Sequence, residues 1–171
     1  MIESSEIEIR PAKYFELEVI SENNEGSNLY HKPFDRYVKA SFKIEPQHTL
    51  VAEIDNNLAG HMLATSKHER VLKRMAITGD MLSFIKGTVN EPPLDPQLAF
   101  GAQVMHVAVY PEYRNRGMAT LLIKRISSDL KVKRIKAWIK EANTSSRKAF
   151  EKAGWSAKKK SRDWIRYELI K

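Results

Sequence analysis

One stretch, residues 106–119, constrains the fold of this chain most, because it predicts a strand, a tight turn and a helix in immediate succession. Val104, Val107 and Val109 are the β-branched residues of a short apolar run, which favours a strand. Pro111 ends that strand, since proline has no N–H to donate to a neighbouring strand. Apolar residues at helical spacing follow at once: Met118, Leu121, Leu122, Ile126 and Leu130. The chain is therefore predicted to place a basic turn between the end of a strand and the start of a helix.

This basic turn has the properties of an anion site. The first N–H groups of a helix have no acceptor within the helix, and the helix dipole is positive there. Gly117 and the small Ala119 let a ligand approach the backbone, and Arg114 and Arg116 add positive charge. Two solvated arginines beside an ordinary turn would give the same short pattern, so the turn alone leaves both interpretations open.

A second segment, residues 143–155, supports the anion site. It reads Asn143-Thr-Ser-Ser-Arg-Lys-Ala-Phe-Glu-Lys-Ala-Gly-Trp155. Together the two segments resemble the GNAT superfamily of N-acetyltransferases, directly over about residues 104–156. In that superfamily the pattern Arg/Gln-x-x-Gly-x-Gly/Ala binds the pyrophosphate of acetyl-CoA. A segment of the type Asn-x-x-Ser/Ala-x-x-x-Tyr/Phe-Glu-Lys-x-Gly-Phe follows it.

The resemblance implies a single α/β (α+β) domain over residues 1–171. Its expected architecture is a GNAT-like mixed, mostly antiparallel sheet of six to seven strands, splayed at its centre and flanked by about four helices. A helical insertion at about residues 65–101 departs from the minimal fold. It is expected to form an acceptor-site wall or a homodimer contact, and a packed surface helix without a further role stays open as an alternative. The sheet is expected to open between the strand ending at Val109 and the one ending near Lys140, and the cofactor would lie in that opening.

The periodicity of the remaining sequence predicts the other elements. Pro11 is expected to open the first helix, since proline is tolerated at the first helical position. Asn56-Asn57 is expected at the turn of one hairpin, and Lys158–Lys160 with Arg162 at the tip of another. Gly154 is expected to end the helix that Asn143 caps. Strands are predicted at 6–10, 49–55, 58–64, 104–109, 134–140 and 164–170, and a further strand starts at Trp155. Helices are predicted at 14–20, 34–42, 118–130 and 143–150, and residues 68–85 are predicted to form one helix or two short ones around Gly79.

The resemblance also implies the cofactor site, residue by residue. Val107 and Val109 would offer backbone groups to the pantetheine arm and the thioester. The pyrophosphate would lie on the N–H groups of residues 116–120, and Asn143 matches a residue that contacts the pantetheine region. The residues predicted to bind acetyl-CoA are Val107, Val109, Arg114, Asn115, Arg116, Gly117, Met118, Ala119, Thr120, Asn143, Ser146 and Phe150.

The catalytic groups are less clear from the sequence. Acetyl transfer to an amine needs a neutral amine, a polarised carbonyl and a leaving thiolate that is stabilised or protonated. Many relatives carry tyrosine as this acid where the chain has Phe150, which has no proton to give. Ser146, expected one helical turn away, is the favoured alternative acid, with Tyr113 as a second. Glu53 and His106 are candidate bases, although His106 alternates away from the two valines and so resembles a core histidine.

Composition excludes several classes of protein. With no cysteine among 171 residues, the chain cannot form disulfides, thiolate metal sites or a cysteinyl acyl-enzyme. No metal site is expected. The start of the sequence lacks a signal-peptide pattern, and no apolar run approaches the roughly 18 residues of a membrane span. A soluble, cytoplasmic protein with no membrane partner is expected.

Charge divides the chain into two halves. Residues 114–171 hold 18 Lys and Arg against 5 Asp and Glu, whereas residues 1–113 hold 11 against 16. The basic half suits coenzyme A, which carries a pyrophosphate and a 3′-phosphate, and the acidic half would suit a cationic amine.

The expected function is an acetyl-CoA-dependent N-acetyltransferase that acetylates a primary amine, on a small molecule or a protein, by direct attack in a ternary complex. A non-catalytic acyl-CoA sensor of the same fold is one alternative, and Phe150 is its support. A basic nucleic-acid-binding module is another, disfavoured because the sequence shows no aromatics interleaved with the basic residues and no recognised motif. The identity of the acceptor stays open.

Overall fold

A computed structural model of the chain describes residues 7–22, 33–78 and 102–171. They form a seven-stranded sheet in the order β1-β2-β3-β4-β5-β7-β6, in which only β4 and β5 are parallel neighbours. The strands are β1 Ile7–Pro11, β2 Thr49–Ile54, β3 Asn57–Thr65, β4 Ala102–Val109, β5 Arg134–Lys140, β6 Ser156–Ser161 and β7 Trp164–Ile170. The helices are α1 Glu16–Glu22, α2 Pro33–Ile44, α3 His68–Ile77, α4 Met118–Asp129 and α5 Thr144–Lys152. The predicted mixed, mostly antiparallel sheet is confirmed.

Two apolar cores lie on opposite faces of the sheet. On the first, which we call the α4 face, buried residues of α4 pack against alternate residues of β2 to β5. On the second, the α2 face, α1, α2 and α3 pack against Val51 of β2 and Leu63 of β3. Ile135, Ala137 and Ile139 of β5 all belong to the α4-face core, so the intervening residues of β5 point to the α2 face.

β4 and β5 separate partway along their length. They pair only at Ala102↔Ile135, Gln103↔Lys136 and Val104↔Ala137. Beyond these pairs β4 continues beside β3, and β5 continues beside β7. A gap, here called the β4–β5 gap, therefore opens toward the C-terminal ends of both strands, and the predicted splay is confirmed.

A β-bulge accounts for the separation. Leu63 pairs with His106 while Ala64 pairs with Val104, so Met105 is an extra residue in β4. A bulge bends its strand and increases the local twist. Since Met105 directly follows the last β4–β5 pair, the bend occurs where the two strands part.

Close packing holds α4 against the sheet. A Cβ atom on Gly60 of β3 would lie 2.7 Å from the Ala108 carbonyl oxygen and 3.4 Å from Met118 Sδ. Only glycine fits this space, because such a short contact is far inside van der Waals distance. The first residue of α4 thus rests directly on β3 and β4.

The start of α1 differs from the prediction. Pro11 is the last residue of β1, and the helix begins at Glu16. The Glu16 carboxylate accepts a hydrogen bond from the Lys13 N–H at 2.6 Å and lies 2.6 Å from Arg10 Nη2, which fixes the helix start there. Phe15, which lies within the segment predicted as a helix at 14–20, precedes the helix and is exposed.

The first hairpin turn lies one residue earlier than predicted. Its two residues are Asp55 and Asn56, with φ of 51° and 63°, and Asn57 already belongs to β3. Asp and Asn are the non-glycine residues that best tolerate this left-handed conformation, so both turn positions suit their residues.

The second hairpin also differs. Lys158–Lys160 lie within β6, because pairing with β7 continues to Ser161↔Trp164. The tip consists of Arg162 and Asp163. The lysine triplet therefore lies along an exposed edge strand.

Only part of the predicted insertion lies among the described residues. Helical structure predicted within residues 68–85 is confirmed as α3, which ends at Ile77, and residues 79–101 lie outside the described ranges. Within those ranges, no helix has both the length and the apolar character needed to cross a membrane.

Candidate functional site

The basic turn, residues 114–117, connects β4 to α4 through a 3₁₀ turn at Pro111–Tyr113. Two of its residues are left-handed, Asn115 with φ 64° and Gly117 with φ 79°. Left-handed residues in a tight turn are typical of backbone concavities that bind anions through N–H groups. The turn thus has a suitable backbone for a phosphate group.

The start of α4 supplies further donors. The first bond within the helix runs from the Leu121 N–H to the Gly117 carbonyl at 3.1 Å. The N–H groups of Met118, Ala119 and Thr120 precede it, so they have no acceptor within the helix. A Cβ built on Gly117 meets nothing within 4 Å, so the space beside the turn is open. These residues fit a pyrophosphate.

Both arginines of the turn are held in place by neighbours. Arg114 Nε donates to the Val109 carbonyl at 3.1 Å, and the Arg116 guanidinium carbon lies 5.9 Å from the ring centroid of Tyr113. Both side chains are otherwise exposed, so their charge faces solvent and any ligand at the turn.

β4 directs an open backbone edge into the β4–β5 gap. The Tyr110 N–H donates to the Ala59 carbonyl of β3 at 2.9 Å. Because hydrogen-bonding directions alternate along a strand, Val107 and Val109 direct their backbone groups away from β3. The contact between Arg114 and the Val109 carbonyl agrees with this direction. The predicted contact with the pantetheine arm requires such an exposed strand edge. Binding of the cofactor by this edge stays a prediction.

α5 and its N-cap carry the remaining residues that are predicted to contact acetyl-CoA. The Asn143 side chain accepts a hydrogen bond from the Ser146 N–H at 3.1 Å, which confirms the predicted cap. Ser146 is half-buried one turn before Phe150. The Phe150 ring is 2% exposed, packs edge-on against Trp155 with centroids 4.9 Å apart, and so lies in the hydrophobic core. Gly154, with φ 90°, ends the helix as predicted.

Glu53 is not brought to the β4–β5 gap. Arg10 contacts both of its carboxylate oxygens, at 2.6 Å through Nη2 and 3.2 Å through Nε. The same arginine holds Glu16. β2 is two strands from β4, a separation of roughly 10 Å across a sheet.

His106 lies on the α2 face, opposite to Val107 and Val109, and only 8% of it is exposed. Its ring stacks on His61 of β3 with centroids 4.9 Å apart, and Tyr110 packs edge-on against His61 at 5.9 Å. Burial lowers the pKa of His61 to about 4. The pKa of His106 is lowered well below 6.5, mainly by burial and further by the nearby His61. Both imidazoles are therefore neutral at neutral pH.

His61 and Tyr110 were missed by the sequence analysis. Each lies in or beside a predicted strand, but their contact depends on the β3–β4 register, which single-strand patterns do not give. Neither ring nitrogen of His61 has a hydrogen-bond partner within the described residues.

The chain matches the model of the acetyltransferase (GNAT) family over residues 13–155. The chain belongs to this family. It is therefore an acetyltransferase of a family of N-acetyltransferase enzymes that use acetyl-CoA as co-substrate.

Solved structures agree with this GNAT fold. The crystal structure of SsHAT has 15% sequence identity and a TM-score of 0.71, covering 96% of this chain and 98% of its own. A GNAT-family acetyltransferase from Bacillus cereus has 16% identity and a TM-score of 0.66, with 97% and 98% covered. The yncA protein of Salmonella typhimurium, solved with its cofactor acetyl-CoA, has 14% identity and a TM-score of 0.66, with 97% and 94% covered. No curated protein sequence matches the chain.

The β5 wall of the gap in this GNAT protein carries residues that the sequence analysis did not single out. Lys140 Nζ lies 5.5 Å from the ring centroid of Trp164, and the Arg166 guanidinium carbon lies 5.9 Å from that of Trp138. The register of β5 on β7 pairs Trp138 with Arg166 and Lys140 with Trp164. Aromatic and basic residues are thus interleaved here, contrary to the sequence-based expectation.

Proposed function

We propose that this GNAT acetyltransferase transfers the acetyl group of acetyl-CoA to a primary amine, on a small molecule or a protein, by direct attack in a ternary complex. The β4–β5 gap carries the proposal, because it opens beside a basic turn whose N–H groups have no acceptor within α4. A phosphate-bearing ligand and an extended arm would be held by adjoining parts of one strand–turn–helix unit.

Backbone groups hold the co-substrate in this proposal. The N–H groups of Met118, Ala119 and Thr120 donate to the pyrophosphate, and Arg114 and Arg116 add charge. The edge groups of β4 pair with the amides of the pantetheine arm as a neighbouring strand would. The thioester supplies an activated acetyl group. Without cysteine the chain forms no cysteinyl acyl-enzyme, which favours direct attack by the amine.

Proton transfer needs groups other than Phe150. Ser146 is the proposed acid, because it lies on α5 one turn before Phe150 and is half-buried rather than packed in the core. Of the two candidate bases, the geometry favours His106, which lies on β4 itself and is neutral. Glu53 is two strands away and its charge is paired with Arg10. Both bases stay predictions.

The proposal is tested by incubating the protein with acetyl-CoA and a panel of amines while following free thiol release and the mass of the acceptor. Formation of an N-acetylated amine in step with thiol release is the expected result. If acetyl-CoA binds and no amine of any class is acetylated, the acyl-CoA sensor is supported instead. If acetyl-CoA does not bind, the basic turn is not a coenzyme A site.

A further inference from the structure

The α2 face of β5 and β7 carries a block of two tryptophans and two cations: Trp138, Lys140, Trp164 and Arg166. The neighbouring residues on both strands pack into the α4-face core, so these four point to the opposite side of the sheet. Each cation lies over a tryptophan ring within the range of a cation–π contact.

Lys140 stands out within this block. It is half-buried, and among the described residues it makes no ion pair with a carboxylate. By contrast, Arg166 Nη2 lies 2.9 Å from Glu168 Oε1, and the adjacent Glu141 is paired with Lys160 at 2.7 Å. Trp164 orients the Lys140 ammonium group without neutralising it, which leaves its charge available to a ligand.

The position of Lys140 relates it to the acceptor, provided that the proposed function holds. β5 is no longer paired with β4 beyond Ala137, so its backbone at Trp138 to Lys140 borders the β4–β5 gap. The Lys140 side chain rises from this border on the α2 face and leans over Trp164 of β7. The basic turn and α4 would hold the nucleotide part of acetyl-CoA at the α4 face. An amine that meets the thioester in the gap therefore enters from the α2 face, between Tyr110 on the β4 side and Lys140 on the β5 side.

We propose that Lys140 binds an anionic group of the acceptor, either a carboxylate or a phosphate, and that the acceptor is therefore an amine carrying a negative charge. A partly buried cation strengthens a charge-assisted hydrogen bond to such a group. Trp138 gives the carbon chain between the amine and the anion an aromatic surface to lie on. This acceptor class differs from the cationic amine that the charge of residues 1–113 suggested.

Matched pairs of amines test the proposal. L-lysine and cadaverine differ by a carboxylate, and glucosamine 6-phosphate and glucosamine differ by a phosphate. Each is titrated by calorimetry into the protein saturated with coenzyme A, and kcat/KM is measured with acetyl-CoA. The anionic member of at least one pair should bind at least tenfold more tightly and have the higher kcat/KM.

Substitutions assign the preference to Lys140. Lys140→Met keeps an apolar side chain over Trp164 and removes the charge. In this variant the two members of each amine pair should bind with affinities within about threefold of each other, while acetyl-CoA affinity is unchanged. Lys140→Arg should retain the preference. Lys131→Met removes the same charge from the connection that precedes β5, beyond the far end of a strand roughly 20 Å long, and should retain the preference fully.

The outcomes separate the two proposals. A preference confined to the carboxylate pair, or to the phosphate pair, identifies which anion Lys140 accepts. Equal binding within both pairs, or a preference that survives Lys140→Met, overturns the role of Lys140 while leaving acetyl transfer intact. Absence of acetylation for every amine, with acetyl-CoA bound, overturns the proposed function and the acceptor inference with it.

Discussion

The Phe150 ring belongs to the hydrophobic core, although the resemblance to GNAT enzymes implies a catalytic tyrosine at this position in many relatives. We predict that Phe150→Tyr leaves kcat unchanged or slightly lower, because the added hydroxyl has to be accommodated where the ring meets Trp155 and Tyr167. In contrast, Ser146→Ala should lower kcat with acetyl-CoA affinity intact, by up to about a hundredfold for loss of a well-placed acid. Steady-state kinetics with calorimetry checks both.

Ser145→Ala is the matched control, because Ser145 is exposed on the same turn of α5 and should have no effect. A large gain in kcat from Phe150→Tyr alone would mean that the protein lacks an acid which tyrosine can supply. The assignment of Ser146 would then be wrong.

At the scale of elements, a single carboxylate connects α2 to the start of α3. Glu45 accepts hydrogen bonds from Thr65 Oγ1 at 2.7 Å, the Ser66 N–H at 2.9 Å and the Lys67 N–H at 3.0 Å. Burial alone would raise the pKa of Glu45, but hydrogen bonds from His48, Ser66 and Thr65 outweigh it and hold the pKa well below 4.5. The carboxylate also lies at the positive end of the α3 dipole.

Glu45→Gln should therefore lower the free energy of unfolding at pH 7 by about 1–3 kcal/mol, the usual cost of losing charged hydrogen bonds at a buried site. Because the folded-state pKa is depressed, this stability is present above pH 4.5 and is lost as the pH falls below it. Urea unfolding at pH 7 and pH 3.5 measures both effects. Glu69→Gln, at an exposed position paired with Lys73, is the control and should change stability by less than about 0.5 kcal/mol. Equal effects of the two substitutions would contradict the account.

The stacked histidines His61 of β3 and His106 of β4 predict that the free energy of unfolding depends on pH in a second, higher range. The folded-state pKa of His61, about 4, lies below the unfolded value of 6.5, so the unfolded chain binds more protons between these values. The corresponding stability is complete above pH 6.5 and is lost as the pH falls toward 4, by about 3 kcal/mol for His61. His61→Phe should make the loss between pH 7 and pH 5 clearly smaller, as measured by urea unfolding. An unchanged loss would show that His61 is not the titrating group.

At the scale of the whole molecule, local patterns predicted the elements well. The bounds of β5 and β7, the Asn143 cap and the Gly154 helix end follow from periodicity and capping within a few residues of sequence. Errors of one or a few residues occurred at turns, where backbone pairing decides the end of a strand. Pro11, for example, belongs to β1 because the pairing with β2 continues to Pro11↔Leu50.

Contacts between distant segments could not be predicted from the sequence. The basic turn could be predicted because its residues are contiguous. The His61–His106 stack and the Lys140–Trp164 contact could not, because each requires the register of two strands. Arg10 and Glu53 are 43 residues apart, and their ion pair is what makes Glu53 a weak candidate base. The sequence therefore predicted the backbone of the basic turn better than it predicted the contacts around the candidate bases.

Binding of acetyl-CoA at the basic turn is the central claim, and a calorimetric titration of three folded proteins tests it most directly. Gly117 and Gly154 both have positive φ and open space at the Cβ position, but only Gly117 lies in the turn. Wild type should bind acetyl-CoA, Gly117→Glu should bind at least tenfold more weakly, about 1.4 kcal/mol, and Gly154→Glu should bind as wild type does. Wild-type affinity in Gly117→Glu, or no binding by wild type, would contradict the account.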